Sequence, residues 1–449
     1  MESTEDAFIV RGGKPLKGQI QLSGAKNVAL KVLIAGLLFD KPVTFKNIPH
    51  IKDIDELMHL INSLGAKAEF LEPNSVLIDG QSLSQDTIDL LHASRIRVSF
   101  MFFAPLLHRF GRAKIPNPGG CRIGARPIDR HIKILQAFGV DVIYNSETGY
   151  YEAKLQGTVI KPATYTFEKS THTGTELAIM LAALADGESV ISNVALEPEI
   201  DDLIKLLNQS GATISRENDS IRIKGASKLH FSGEVFTISV DRNEAPTYAS
   251  FGLTTRGDIM VKGITEQDIK YFLEAVRNIG GGVEVEADGI RFYYKGELKS
   301  SEITTTVHPG FMTDWQGPWA VLMTQANGVS TIHETIFENR FGYVSELQKL
   351  GANIEFYQPD ITNQSETYQF NIENEEQLES MQQAIRITGP TKLHNGVLDV
   401  KDLRAGATIL IAACSADGES VISGASIIDR GYEDIERKLQ SLGAAIKRV

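Results

Sequence analysis

Six stretches of the chain share one pattern of apolar and polar positions. Each is an amphipathic run that reaches a glycine and then turns into a short strand. The runs end at Leu60-Ile61-Asn62-Ser63-Leu64-Gly65, Leu135-Gln136-Ala137-Phe138-Gly139, Leu206-Leu207-Asn208-Gln209-Ser210-Gly211, Val276-Arg277-Asn278-Ile279-Gly280, Leu347-Gln348-Lys349-Leu350-Gly351 and Leu439-Gln440-Ser441-Leu442-Gly443. Each glycine stands where a helix is followed by a left-handed residue, a conformation glycine adopts without steric cost. The spacing is roughly 70 residues, the size of one supersecondary unit, and only the last interval is longer. A second kind of helix precedes each amphipathic one. Residues 29–38, 177–185 and 407–414 are apolar nearly all round, so they belong in a domain centre. Polar turns and short strands such as 189–193 and 420–424 follow them.

The predicted order is helix, strand, helix, strand, six times over. Three units per domain give two similar α/β domains, with inner helices surrounded by sheets and outer helices. The split is predicted near residue 240. One domain then covers 26–239, and the other 1–25 plus 240–449, with the active site in the cleft between them. The strand Phe8 to Arg11 is expected to pair back into the C-terminal domain. The long last interval comes from residues 360–383, a polar and acidic stretch read as a surface insertion.

Composition narrows the function. A chain of 449 residues is too long for one ordinary core. A net charge of −12 argues against nucleic acid or an anionic membrane as the main partner, so an anionic small molecule must be held by local clusters of basic residues. Two cysteines form no disulfide framework, the acidic start MESTEDAFIV does not read as a signal peptide, and apolar runs are interrupted before a membrane span is reached. A cytoplasmic protein is expected.

Chemistry concentrates in residues 118–131, Pro118-Gly119-Gly120-Cys121-Arg122-Ile123-Gly124-Ala125-Arg126-Pro127-Ile128-Asp129-Arg130-His131. Glycine and proline deny this stretch regular structure. Arg122, Arg126 and Arg130 favour the thiolate of Cys121 and offer bidentate donors to phosphate or carboxylate. It reads as a mobile, anion-binding lid with a reactive thiol. Short polar motifs also precede the apolar helices: Ser23-Gly24-Ala25-Lys26-Asn27, Ser94-Arg95-Ile96-Arg97, Thr171-His172-Thr173-Gly174-Thr175-Glu176, Asp241-Arg242-Asn243-Glu244, Thr313-Asp314-Trp315 and Asp402-Leu403-Arg404. Helix N-termini suit anions. Ser, Thr and Asp there are otherwise capping residues, whereas capping does not explain Lys26, Arg97 or Arg404.

Taken together these residues resemble the UDP-N-acetylglucosamine 1-carboxyvinyltransferase family of enolpyruvyl transferases, essentially end to end. The likeness rests on Ser23-Gly24-Ala25-Lys26-Asn27, the loop from Pro118 to Pro127, Glu197-Pro198-Glu199-Ile200, His308-Pro309, Thr313-Asp314, Phe337-Glu338-Asn339-Arg340-Phe341, Asp402-Leu403-Arg404-Ala405 and Asp429-Arg430-Gly431-Tyr432-Glu433. The resemblance implies two inside-out α/β barrel domains. It implies transfer of enolpyruvate from phosphoenolpyruvate to the 3-hydroxyl of UDP-N-acetylglucosamine by addition and elimination, an early step of peptidoglycan precursor synthesis. Lys26, Arg97, Arg126, Arg404 and Arg430 would surround phosphoenolpyruvate, with Asn27 between the two substrates. Cys121 would be the general acid and the target of fosfomycin, and Asp314 the base for the sugar hydroxyl. Arg126, Pro127, Ile128, Asp129, Arg130, Lys169, Ser170, Thr171, His172, Asp314 and Ile336 would contact the UDP-sugar. No cofactor and no metal are implied. Two motifs depart from the family pattern, at 171–176 and at 243–246, where Pro246 replaces a glycine. Two other readings therefore stay open: a different uridine nucleotide acceptor such as UMP, or a non-catalytic nucleotide-sugar sensor.

Overall fold

A computed structural model describes residues 6–120, 123–371 and 380–449. It separates into two compact units. One comprises Met1–Ser23, Arg122–Arg126 and Val240–Val449, the other Gly24–Cys121 and Pro127–Ser239. We call them the terminal unit and the central unit.

Each unit carries three sheets among the described residues, and five of the six sheets have one strand pattern. In the terminal unit one sheet runs Val397–Asp399, Glu419–Ser423, Ala7–Arg11, Ala445–Arg448, with the first pair parallel and the other two antiparallel. The N-terminal strand thus pairs with the C-terminal part of the chain, as expected. Parallel, antiparallel, antiparallel recurs in four further sheets. The exception is Arg112–Pro116, Tyr150–Leu155, Val140–Asn145, where a single parallel bridge, Thr87 to Lys114, stands in place of a fourth strand.

The apolar helices lie inside. In the terminal unit Glu244–Thr254, Gln316–Thr324 and Leu403–Ser415 pack against one another, and the first two are buried over their whole length. Small residues permit the approach: a Cβ on Gly317 would stand 2.3 Å from Thr408 Oγ1. In the central unit Phe103–Phe110 packs on His172–Ala182, and Lys26–Ala35 on the turn Arg97–Phe102. Burying each large apolar side chain contributes about 1.5–3 kcal/mol, which makes these helices the structural centre of each unit. The six glycines that close the amphipathic runs all have positive φ, from +77° at Gly139 to +109° at Gly211.

Three expectations need revising. Residues 123–126 group with the terminal unit and not with the domain spanning 26–239, because the Asn339 N–H donates to Ile123 O and Arg126 lies over the Phe337 ring. The stretch 360–383 is not merely a polar surface insertion, since Tyr368 and Phe370 are buried together; residues 372–379 lie outside the described part. The turn at 243–246 is internal packing: Trp315 Nε1 donates to Asn243 Oδ1 at 3.0 Å, and Pro246 sits in the first helical turn, where a missing N–H does no harm. No helix among the described residues is long and apolar enough to cross a membrane.

Candidate functional site

In the terminal unit the structure gathers charge around Asp314. This residue lies in the short turn Thr313–Trp315 that opens the helix Gln316–Thr324. One carboxylate oxygen pairs with Arg340, and the other is 3.4 Å from Arg404 Nη2. Arg404 is fixed in turn by Tyr432, whose hydroxyl oxygen accepts from Nη1 at 2.8 Å and meets Thr247 Oγ1 at 2.9 Å. Burial works against charge on Arg404, yet Tyr432, Asp314 and Asp241 raise its pKa above the usual arginine value. Asp402 caps the helix Leu403–Ser415 by accepting from the Arg404 and Ala405 N–H groups, both at 3.0 Å. Asp241 accepts from the Asn243 N–H at 2.8 Å. Capping accounts for Asp402, the Asp241 bond is a local turn ahead of the helix Glu244–Thr254, and Asp314 is held between Arg340 and Arg404. Arg340 was quoted in the sequence only as part of a motif. Its place on Asp314 follows from the fold.

The segment after the strand Ala326–His333 connects these groups. Glu334, fully buried, accepts at Oε1 from the Ile336 and Phe337 N–H groups at 2.8 and 3.1 Å, and at Oε2 from Thr313 Oγ1 at 2.9 Å. Burial raises the Glu334 pKa, with Arg340 opposing. Ile336 is partly exposed on this segment, and Arg126 lies 5.3 Å from the centre of the Phe337 ring. Arg126 has φ +45°, an uncommon value for arginine. Arg430 is partly buried in the turn between Ala425–Ile428 and Tyr432.

The central unit brings together the remaining candidates. Lys26 begins the helix Lys26–Ala35, and its Nζ is 2.6 Å from Asp53 Oδ2; Asn27, next to it, is partly exposed. The glycines before Cys121 press the backbone onto the turn that carries Arg97. A Cβ on Gly119 would stand 1.6 Å from Ser94 O, and Gly120 at φ +105° faces Arg97 Cβ at 3.0 Å. Cys121 itself lies outside the described residues. Pro127 and Asp129 are exposed and Ile128 is buried at the start of the helix Asp129–Ala137. Arg130 and Lys169 stand close enough for Arg130, after partial burial, to lower the Lys169 pKa. Like charges brought together in this way suit a polyanion. Ser170 and Thr171 are partly exposed beside them, and Thr171 caps the helix His172–Ala182 by accepting from the Gly174 N–H at 3.3 Å.

His172 points into its own helix. Nε2 is 3.3 Å from Glu176 Oε1, while Lys31 Nζ is 3.2 Å from Glu176 Oε2. Burial lowers the His172 pKa, but Glu176 outweighs that and the net shift is upward, with Lys31 opposing and Glu197 assisting. A raised folded-state pKa means the contact stabilises fully below the unfolded value, about 6.5, and is lost as pH rises through the folded value. The stability advantage of wild type over His172→Gln should therefore shrink as pH is raised from about 6 to about 9. Urea midpoints of both proteins measure it, and a constant gap would remove His172 from the titration.

Among the described residues no group of three His, Cys, Asp or Glu is arranged to hold a metal. The second cysteine, Cys414, is buried and its thiol is pushed up to about 12 by that burial, so it is inert packing.

Comparison with known proteins gives the family. The family model for EPSP synthase (3-phosphoshikimate 1-carboxyvinyltransferase) matches residues 10–439. The UDP-N-acetylglucosamine 1-carboxyvinyltransferase of Koribacter versatilis is 38% identical over 448 residues, 99% of this chain and 96% of that protein. That of Desulfatibacillum aliphaticivorans is 38% identical over 445 residues, 99% of this chain and all of that protein. Among solved structures, the enolpyruvyl transferase NikO from Streptomyces tendae superposes with TM-score 0.84 at 22% identity over 99% of both chains. An EPSP synthase from Acinetobacter baumannii gives TM-score 0.69 at 16% identity over 99% of this chain and all of that one. The chain belongs to the EPSP synthase family of enolpyruvyl transferases, on the branch of the UDP-N-acetylglucosamine 1-carboxyvinyltransferases.

Proposed function

We propose that this protein transfers the enolpyruvyl group of phosphoenolpyruvate to the 3-hydroxyl of UDP-N-acetylglucosamine, releasing phosphate, in the cytoplasmic synthesis of peptidoglycan precursors. The observation that carries the reading is the end-to-end likeness to relatives named for that reaction. The geometry supports it with a carboxylate, Asp314, held between Arg340 and Arg404. Phosphoenolpyruvate carries close to three negative charges, so fixed cations are needed to bind it and to steady a tetrahedral intermediate. Lys26, Arg97, Arg126, Arg404 and Arg430 would supply them.

On this reading Cys121 protonates the methylene carbon, and Asp314 takes the proton of the attacking sugar hydroxyl. Elimination then expels phosphate and restores the double bond. An incoming carboxylate or phosphate competes with Asp314 for Arg404, which would release Oδ2 to act as base. The pair Arg130 and Lys169, with Ser170, Thr171 and the Arg126–Arg130 stretch, would take the diphosphate, and Ile336 would line the sugar nucleotide. His172 then acts by holding its helix start in place and not by touching the uridine. The two units would be the enolpyruvyl transferase domains, and the sheet pattern shared by five of six sheets supports three copies of one unit in each.

Phosphate release from phosphoenolpyruvate is the direct test, with UDP-N-acetylglucosamine or UMP offered as acceptor. Release with the nucleotide sugar and none with UMP is expected. Release with UMP alone would change the acceptor, and silence with both in folded protein would overturn the proposal.

A further inference from the structure

One connection in the terminal unit is unlike its counterparts. In four other sheets the equivalent antiparallel pair is consecutive in the chain and closes across residues 73–74, 146–149, 218–219 or 287–288. The pair Asn353–Tyr357 and Ala384–Gly389 is instead joined by residues 358–383. The two described ends of this connection are packed and hydrogen-bonded. Tyr368 and Phe370 stack at 4.8 Å between centroids, with Ile361 and Met381 packed against them. The Tyr368 hydroxyl meets His333 Nε2 at 3.1 Å. Burial pushes the tyrosine up to about 12 and the histidine down, so both stay neutral and the hydrogen bond does not depend on pH near neutrality.

Both ends then grip the same segment. The Gln369 N–H donates to Thr335 O at 2.9 Å. The Glu334 N–H donates to Gln383 O at 2.8 Å, and Gln383 Nε2 donates to Glu338 O at 2.8 Å. Gln383 is 1% exposed, so these bonds are sheltered from water. The same residues 334–340 carry contacts of the candidate site: Asn339 N–H on Ile123 O at 3.1 Å, Phe337 under Arg126, Glu334 on Thr313, Arg340 on Asp314. A Cβ on Gly124 would meet the Glu338 carboxylate at 1.8 Å, which fits the glycine there.

We infer that the described ends of the 358–383 connection brace residues 334–340, and that Gln383 and Tyr368 are positioning residues for residues 123–126 and for the Asp314–Arg340 pair. They touch no substrate and act through the backbone of 334–339. The catalytic part of this inference rests on the proposed function; the mechanical part does not.

Gln383→Met keeps the volume of the side chain and removes its donor. Hydrogen exchange and steady-state kinetics on the full chain test the brace. Exchange at the Asn339 amide should accelerate about tenfold, the loss of roughly one buried hydrogen bond, with the helix His172–Ala182 unaffected. The value of kcat should fall by a similar factor while KM for UDP-N-acetylglucosamine changes by less than about twofold. Tyr368→Phe, which removes a single hydroxyl, should show the same pattern more weakly and guards against misfolding of the first variant. Exchange that accelerates only within 361–371 and 380–383, with Asn339 and kcat unchanged, would overturn the inference. Accelerated exchange at Asn339 in a protein that turns over neither acceptor would uphold the brace and reject the function.

Discussion

Replacement of Asp314 by asparagine is expected to lower kcat with UDP-N-acetylglucosamine by about 10²–10⁴-fold, the usual worth of a positioned general base. The substitution keeps the shape of the side chain and removes its capacity to accept a proton. It also removes the negative charge that Arg340 and Arg404 now share. Two positive groups would be left facing each other, so phosphoenolpyruvate should bind at least as tightly while chemistry slows. The measurement is a full kinetic comparison with both substrates varied. A loss confined to KM, with kcat preserved, would mean that Asp314 binds substrate without acting as base. Arg340→Lys tests the other half of the pair, because lysine keeps the charge but not the planar guanidinium.

The largest effect on stability is expected in the central unit. Lys31 lies among the apolar residues Val28 to Ala35 of its helix, with its side chain 5% exposed, and its partner Glu176 has no exposed surface. Lys31→Met would leave a buried carboxylate with His172 beside it. Breaking a buried pair from one side typically costs about 3–5 kcal/mol, because the remaining charge stays desolvated. Adding Glu176→Gln to Lys31→Met should recover most of the loss, since neither buried charge is then left alone. Urea unfolding of the wild type, both single variants and the double variant completes the cycle. A double-variant loss equal to the sum of the two single losses would mean that the pair contributes nothing beyond packing. The helix holding Lys31 begins at Lys26, so the cluster also ties the lysine proposed for phosphoenolpyruvate to the helix start at Thr171.

The resemblance named the chemistry because the family's motifs are short and consist of polar residues at helix starts. Lys26, Arg97 and Arg404 were legible as candidates for that reason, since a cation before an apolar helix is not needed for capping, whereas Asp314 has the residue type of a cap. Arg340, Tyr432 and Asp53 were not. Each acts by meeting a residue distant in the chain, and nothing in the local pattern of Phe337-Glu338-Asn339-Arg340-Phe341 says where its guanidinium points. The resemblance puts His172 among the contacts of the UDP-sugar, and in the fold its ring turns toward Glu176, four residues on in the same helix. That spacing puts the two on one helical face and was visible in the sequence. What the sequence did not contain was Lys31 on a neighbouring helix, which completes the cluster.

The secondary structure divides along the same line. Apolar periodicity and glycine placement determined the six amphipathic helices, their left-handed ends and the N-terminal strand that closes a C-terminal sheet, because those features depend on neighbours within one or two turns. The acidic stretch at 360–383 looked like a solvated insertion, since charge dominates its composition. Only tertiary structure decided that Tyr368 and Phe370 are buried and that Gln383 grips the segment beside Asp314. Local pattern sets which elements form. Which side chains meet across them depends on how sheets and helices pack, and residues 123–126 take their partners at 337–339 through that packing alone.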